Sequence, residues 1–233
     1  MRKALIIVNA QVKAQGTMYP ASPATEKMVM ALEAAIKADS SSTQVEVMAT
    51  ASLWSKNAQP SKPDPDIIYC PLTIEVPNWL SFPGQKIYQD CKDVKARRQW
   101  VDKMLGYKTS IRDAWLGDLW LPVAVTPREL IYGEIIGEGA FPNSYEQPVS
   151  LKKSLLRPLH ELAQGLLESL DAPPSLYLLQ FRLKDQNIVF DRLWPFPAAP
   201  AIASLTYSHP NLFSCYWQCL THQNLPSLTA SPS

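Results

Sequence analysis

The sequence predicts an α/β protein with α+β character in its C-terminal half: an N-terminal β-α-β unit, then a sheet carrying a long amphipathic helix. Three observations carry this. An apolar, β-branched run over 4–8 is followed by a capped helical stripe and a second strand. A leucine-rich stripe recurs at helical spacing over about 150–170. Two apolar-rich runs, 176–183 and 188–194, flank Lys184-Asp185-Gln186-Asn187. With 46% hydrophobic residues among 233, the chain can bury a substantial core and is far from a disordered composition.

Residues 4–8 read as a buried strand rather than a signal peptide. The apolar stretch is short and breaks at Asn9-Ala10-Gln11, with Lys13 close behind. A Gly/Pro/Ser-rich loop spans 15–23. Ser22 is placed to cap the next helix, Pro23 suits its first position, and Glu26 lies in its first turn. Met28, Leu32, Ala35 and Ile36 form the apolar stripe, and Ser40-Ser41-Ser42 ends it. Residues 45–49 alternate as a second strand, 55–66 form an exposed connection, and 67–70 form a third strand.

Residues 76–120 carry four of the seven tryptophans: Trp79, Trp100, Trp115 and Trp120. A helix over about 93–105 places Val94, Trp100, Val101, Met104 and Leu105 on one side. Lys92, Lys95, Arg97, Arg98 and Lys103 lie opposite. Such a face can meet phosphates, but Asp90, Asp93 and Asp102 dilute its charge, and a solvated face is the plainer reading. Strands over 121–126 and 129–136 are joined by Pro127-Arg128, and a loop follows over 137–144. In the long helix Leu155, Leu159, Leu162, Ala163, Leu166, Leu167 and Leu170 share a face, and Pro158 kinks or restarts it. The implied organisation is a small α/β unit over 1–75, a Trp-rich connection over 76–120, a sheet-plus-helix domain over 121–223 and a flexible tail over 224–233.

Composition excludes several functions. Eight glycines against 21 prolines leave no GxxxxGK[ST] and no GxGxxG, so P-loop and dinucleotide-fold readings fall. The net charge of 22 − 21 = +1 gives no general pull toward nucleic acid or acidic membranes. No apolar run reaches the ~18 residues of a membrane span. Four cysteines do not make a disulfide scaffold and fit a reducing cytoplasm.

The two runs around 184–187 read as a hairpin in which paired positions sum to 371, so Gln180 faces Asp191. Tyr177, Leu179, Phe181, Leu183, Ile188 and Phe190 share an apolar face for the long helix to cover. Leu178, Gln180, Arg182, Val189, Asp191 and Leu193 share the other. An acid beside an amide offers oxygens to a hard divalent cation such as magnesium. The plainer alternative pairs Asp191 with Arg182 or Arg192. Trp194-Pro195-Phe196-Pro197 then ends the strand rigidly.

From about 121 to 222 the chain resembles the C-terminal portion of ATP-grasp proteins, a superfamily that includes ATP-dependent carboxylate–amine ligases. The resemblance rests on "LIYGEIIGEG", the loop "FPNSYEQPVSL", the helix "LHELAQGLLESL", the hairpin "LYLLQFRLKDQNIVFDRLWPFP" and a helix from about Pro210. It implies that Gln180 and Asp191 hold magnesium on the phosphates of a nucleotide such as ATP. The sequence departs from the family at Asp191, where the family has Glu, and at Arg192-Leu193-Trp194-Pro195, where Asn-Pro often follows. Too few residues separate Cys70 from Leu121 for the family's nucleotide-clamping lid. The chain as a whole also looks like proteins conserved in cyanobacteria.

Arg128 and Arg192 can contact phosphate, Asn143 and Ser144 offer loop hydrogen bonds, and Glu134 with Glu138 can do acid–base work or remain loop acids. Cys215, Cys219 and His222 fall at i, i+4, i+7, but the C-x2-C knuckle of zinc sites is missing and core thiols are the plainer reading. His160 reads as structural. The expected function is an ATP-grasp-like protein binding a nucleotide or other small anionic ligand with magnesium, a degenerate carboxylate–amine ligase. The alternative is a non-catalytic assembly factor with a protein partner, which exposed tryptophans would favour.

Overall fold

The apolar run at the N-terminus becomes the central strand of a parallel sheet. The computed structural model describes residues 2–12, 18–20, 22–55, 63–111, 116–141, 143–225 and 228. Strand β1 (Lys3–Val8) is followed by the antiparallel pair β2 (Ala10–Val12) and β3 (Met18–Pro20), helix α1 (Pro23–Asp39), β4 (Gln44–Ala49), α2 (Thr50–Ser55) and β5 (Ile67–Pro71). β4 and β5 flank β1, both parallel to it. α1 starts where its cap dictates: the Ser22 hydroxyl accepts the Thr25 N–H, with Pro23 at the first position. Its buried residues are Met28, Leu32, Ala35 and Ile36, the stripe the sequence predicts.

The chain leaves β1 toward β4 on one side and returns to β5 on the other. Strand order therefore reverses between β1 and β5, which opens a crevice beyond their carboxyl ends.

The next segment is more helical than the sequence predicts. It holds α3 (Gln85–Lys92), to which the sequence reading assigns no element, then α4 (Val94–Trp100), a π-helical turn (Val101–Leu105) and β6 (Lys108–Thr109). The Asp93 carboxylate caps α4 by accepting the Ala96 N–H at 2.9 Å.

The C-terminal half contains β7 (Leu119–Val125), β8 (Leu130–Tyr132), β9 (Ile136–Glu138), β10 (Tyr145–Glu146), α5 (Lys153–Ser169), β11 (Ser175–Lys184) and β12 (Asn187–Trp194). A 3-10 turn (Ala199–Ala203), α6 (Ser204–Tyr207) and α7 (Leu212–Leu220) follow. The larger sheet runs β10-β9-β7-β11-β12-β6, with β8 also on β7. The strand expected over 129–136 is broken in two. β8 pairs with β7 as far as Val123↔Tyr132, and β9 resumes at Trp120↔Ile136. Pro122 lies between those pairs and has no N–H for the ladder; its carbonyl accepts the Gly133 N–H instead. α5, by contrast, runs past Pro158 as one helix.

Val123 pairs with both Tyr132 and Tyr177, so these three side chains share a face. The Tyr132 ring stacks on His160 of α5 at 3.9 Å, which puts the leucine-rich helix on the Tyr177 face as expected. On the opposite face Trp120, Gln180 and Arg192 lie in register. α7 packs on α1, β11 and β7, and one apolar cluster runs from β1 through both sheets to α7. Among the described residues no helix is long and apolar enough to cross a membrane.

Candidate functional site

The hairpin turns through two residues, Asp185 and Gln186, both with positive φ (51° and 61°), the backbone a tight two-residue turn requires. Lys152, beside the start of α5, donates to the Gln186 side chain at 2.9 Å and ties the turn down. From the turn to Phe181↔Phe190 the pairing follows the expected register. There the ladder slips by one residue, and Gln180 faces Arg192 instead of Asp191. Asp191 is the extra residue of a β-bulge. The slip also moves Leu193 opposite Leu179, onto the apolar side.

The bulge turns Asp191 toward α4. Arg98 reaches it at two points: its Nε donates to the Asp191 carbonyl at 3.0 Å, and its Nη2 pairs with Oδ1. Oδ2 accepts the Gly117 N–H at 2.7 Å. The Gly117 carbonyl accepts the Gln180 amide at 2.6 Å, and Gln180 Oε1 accepts the Trp194 indole N–H at 2.9 Å. Asp191 is 0% exposed and Gln180 6%. The acid and the amide are thus joined through the backbone of one residue, Gly117. A Cβ at Gly117 would come within 2.6–2.9 Å of the Phe181 backbone, so the close approach needs glycine.

This donor set does not suit magnesium. The ion needs about six oxygens and keeps several waters, yet each carboxylate oxygen of Asp191 is already bonded, Gln180 Oε1 is taken, and a guanidinium stands beside the acid. Among the described residues no group of three or more His, Cys, Asp and Glu could hold a metal ion. The expected alternative partners of Asp191 are also corrected in part: Arg192 lies 3.5 Å away, but the close pair is Arg98. Arg98 belongs to the cationic face read as solvated, and it is 8% exposed. Sequence periodicity could not single it out from Arg97 or Lys95, and nothing in the sequence marks Gly117.

Beside this closed centre lies an open cleft of about 360 Å³. It is the crevice beyond β1 and β5, walled by Asn9 and Thr73 on one side and by Trp120, Gln180 and Trp194 on the other. Thr25, in the first turn of α1, also lines it. A Trp120–Tyr145 edge contact at 5.6 Å and a Trp194–Phe196 contact at 5.9 Å hold its aromatic walls.

The other expected site residues do not converge on it. Arg128 is exposed at the β7–β8 turn and lines an open groove of about 620 Å³ with Glu129, Glu168 and Asp171. Asn143 is exposed, and the Ser144 hydroxyl bonds the Phe141 backbone within its own loop. Glu134 sits between β8 and β9, where its carbonyl accepts the Gln147 amide. Arg192 alone joins the centre, with its guanidinium 5.7 Å from the Trp194 ring. Trp79 and Trp100 pack against the core and Trp120 is buried, while Trp115 lies outside the described residues. The zinc geometry is corrected too. α7 ends at Leu220, so exposed His222, with φ 57°, leaves the helical face of Cys215 and Cys219. Both thiols are buried, and burial pushes each up to about 12.

A parallel three-stranded unit joined to a mostly antiparallel sheet with a long covering helix is an ATP-grasp-like fold, and comparison with solved structures shows that likeness of fold. By sequence the chain matches no protein-family model and no curated protein. By structure it is similar to glycinamide-RNase-transformylase T from Mycobacterium tuberculosis, with a TM-score of 0.67 at 12% identity over 97% of this chain and 81% of that one. It is similar to N5-carboxyaminoimidazole ribonucleotide synthetase from Thermotoga maritima, with a TM-score of 0.65 at 11% identity over 99% and 78%. The carboxyaminoimidazole ribonucleotide synthase of Aspergillus clavatus, solved with ATP, gives 0.65 at 10% identity over 99% and 80%.

Proposed function

We propose that this chain is a small-molecule-binding protein on an ATP-grasp-like scaffold, a degenerate counterpart of carboxylate–amine ligases. On this reading the cleft takes a nucleoside or nucleotide by its ring and sugar, without a magnesium-bridged phosphate chain. The observation that carries the reading is the closure of Asp191 beside an open cleft: the acid has no exposure and both its oxygens are bonded. The cleft's volume falls in the ~300–1,000 Å³ range of ligand pockets. Half-buried Trp194 offers an apolar face to a planar ring, and Asn9, Thr25 and Thr73 offer hydrogen bonds to hydroxyls. None of its lining residues is Lys or Arg and one is the acid Glu75, so a phosphate chain there finds little beyond the N-terminal end of α1 to neutralise it. The ATP named with the Aspergillus structure supports a nucleotide-like ligand.

Thermal melting and isothermal titration with adenosine, ADP and ATP, each with and without magnesium, test this. At ~100 times the dissociation constant a ligand should stabilise the chain by about 2.7 kcal/mol. That is a rise of roughly 5–11 °C for a chain of this size. The expected response is equal with and without magnesium, falls in Trp194→Ala and releases no phosphate. Magnesium-dependent binding, phosphate release, or silence toward all three compounds would overturn the reading.

A further inference from the structure

We infer that Arg98 is the permanent cation of the Asp191 centre, standing in for a divalent metal, and that through Asp191 and Gly117 it positions the cleft wall. The inference holds whether or not the cleft binds a nucleoside.

The bulge makes the arrangement possible. By adding a residue at Asp191 it turns both the carbonyl and the carboxylate of one residue toward one guanidinium. A planar fork can satisfy two acceptors at fixed angles, as a compact ammonium cannot. Arg98 and Asp191 balance in charge within the core, where the side chains are 10% and 0% exposed. A divalent ion added there would sit beside a guanidinium in a desolvated site, a like-charge placement that burial makes costly.

From Asp191 the order is relayed by direct bonds. Oδ2 holds the Gly117 N–H on one side of its Cα, and the Gly117 carbonyl on the other side can accept only the nitrogen end of the Gln180 amide. The oxygen end is thereby turned toward the Trp194 indole N–H. Gln180 and Trp194 both line the cleft. Arg98 does not line it, and acts on it through this relay.

Two measurements on the full chain test the inference. Magnesium titrated calorimetrically into the wild-type protein should show no saturable binding, and melting in EDTA and in millimolar magnesium should coincide. The indole N–H resonance of Trp194, assigned with Trp194→Phe, should move and exchange faster with solvent in Arg98→Ala. It should stay in place in Leu162→Ala, a core truncation on α5 that lowers stability without touching the relay. Where Arg98→Ala does not fold, Arg98→Lys, which keeps the charge and loses the fork, carries the same resonance test. Saturable magnesium uptake by the wild type that Asp191→Asn abolishes would overturn the inference. So would an unmoved Trp194 resonance in the Arg98 variant.

Discussion

Gly117→Ala is the sharpest probe of the centre, because its cost can be worked from distances. The new Cβ would meet Phe181 O, C and N at 2.6, 2.8 and 2.9 Å. These are backbone atoms of a central strand and cannot swing aside. Reaching ordinary contact near 3.4 Å requires the Gly117 backbone to retreat by most of an ångström. Such a shift stretches the 2.7 Å bond to Asp191 and the 2.6 Å bond from Gln180 past useful range. Overpacking costs about 1–3 kcal/mol, and loss of a buried bond to a charged group costs about 1.5–3 kcal/mol more. The expected total is about 2.5–6 kcal/mol, or roughly 5–24 °C in melting temperature at this chain length. Gly106→Ala is the control: its Cβ meets nothing within 4 Å, but φ is +72°, so it should lose only about 1–2 kcal/mol. Urea and thermal denaturation followed by circular dichroism measure both. If Gly117→Ala costs no more than Gly106→Ala, the close approach and the latch built on it are wrong.

Tyr88→Phe removes a hydroxyl that bonds the Pro71 and Pro195 carbonyls and Tyr216 Oη; a loss of about 1–3 kcal/mol in urea unfolding is expected. Gln186→Gly relieves a non-glycine residue at φ 61° in the hairpin turn and should raise stability by roughly 0.5–1 kcal/mol, less the exposed bond from Lys152. Burial pushes the Cys91, Cys215 and Cys219 thiols up to about 12, so native protein at pH 8 should resist a thiol reagent that labels it fully in denaturant. The same shifts set a pH dependence. Between an unfolded value near ~8.5 and about 12, the unfolded chain releases protons that the folded chain keeps, so stability falls as pH rises through that window. A melting temperature flat from pH 8.5 to 11 would count against it.

Local chemistry was legible in the sequence. Ser22 and Pro23 start α1, the four-residue apolar stripe buries it, β1 is the apolar run, and the leucine stripe of α5 covers the Tyr177 face. The caps and stripes depend on residues within a turn or two of one another, so spacing encodes them, and the helix follows its apolar stripe onto the apolar face of the sheet. The hairpin was legible from its turn to Phe181. The bulge at Asp191 was not, because one inserted residue leaves the alternation of hydrophobic and polar side chains nearly unchanged while reversing which of them meet. Arg98 lies 93 positions from Asp191 and Gly117 lies 74 positions away. No periodicity records such a pairing. What decides it is the tertiary demand that a buried carboxylate find its counter-charge and its hydrogen bonds, which the packing of α4 against β12 and the approach of the Gly117 backbone supply.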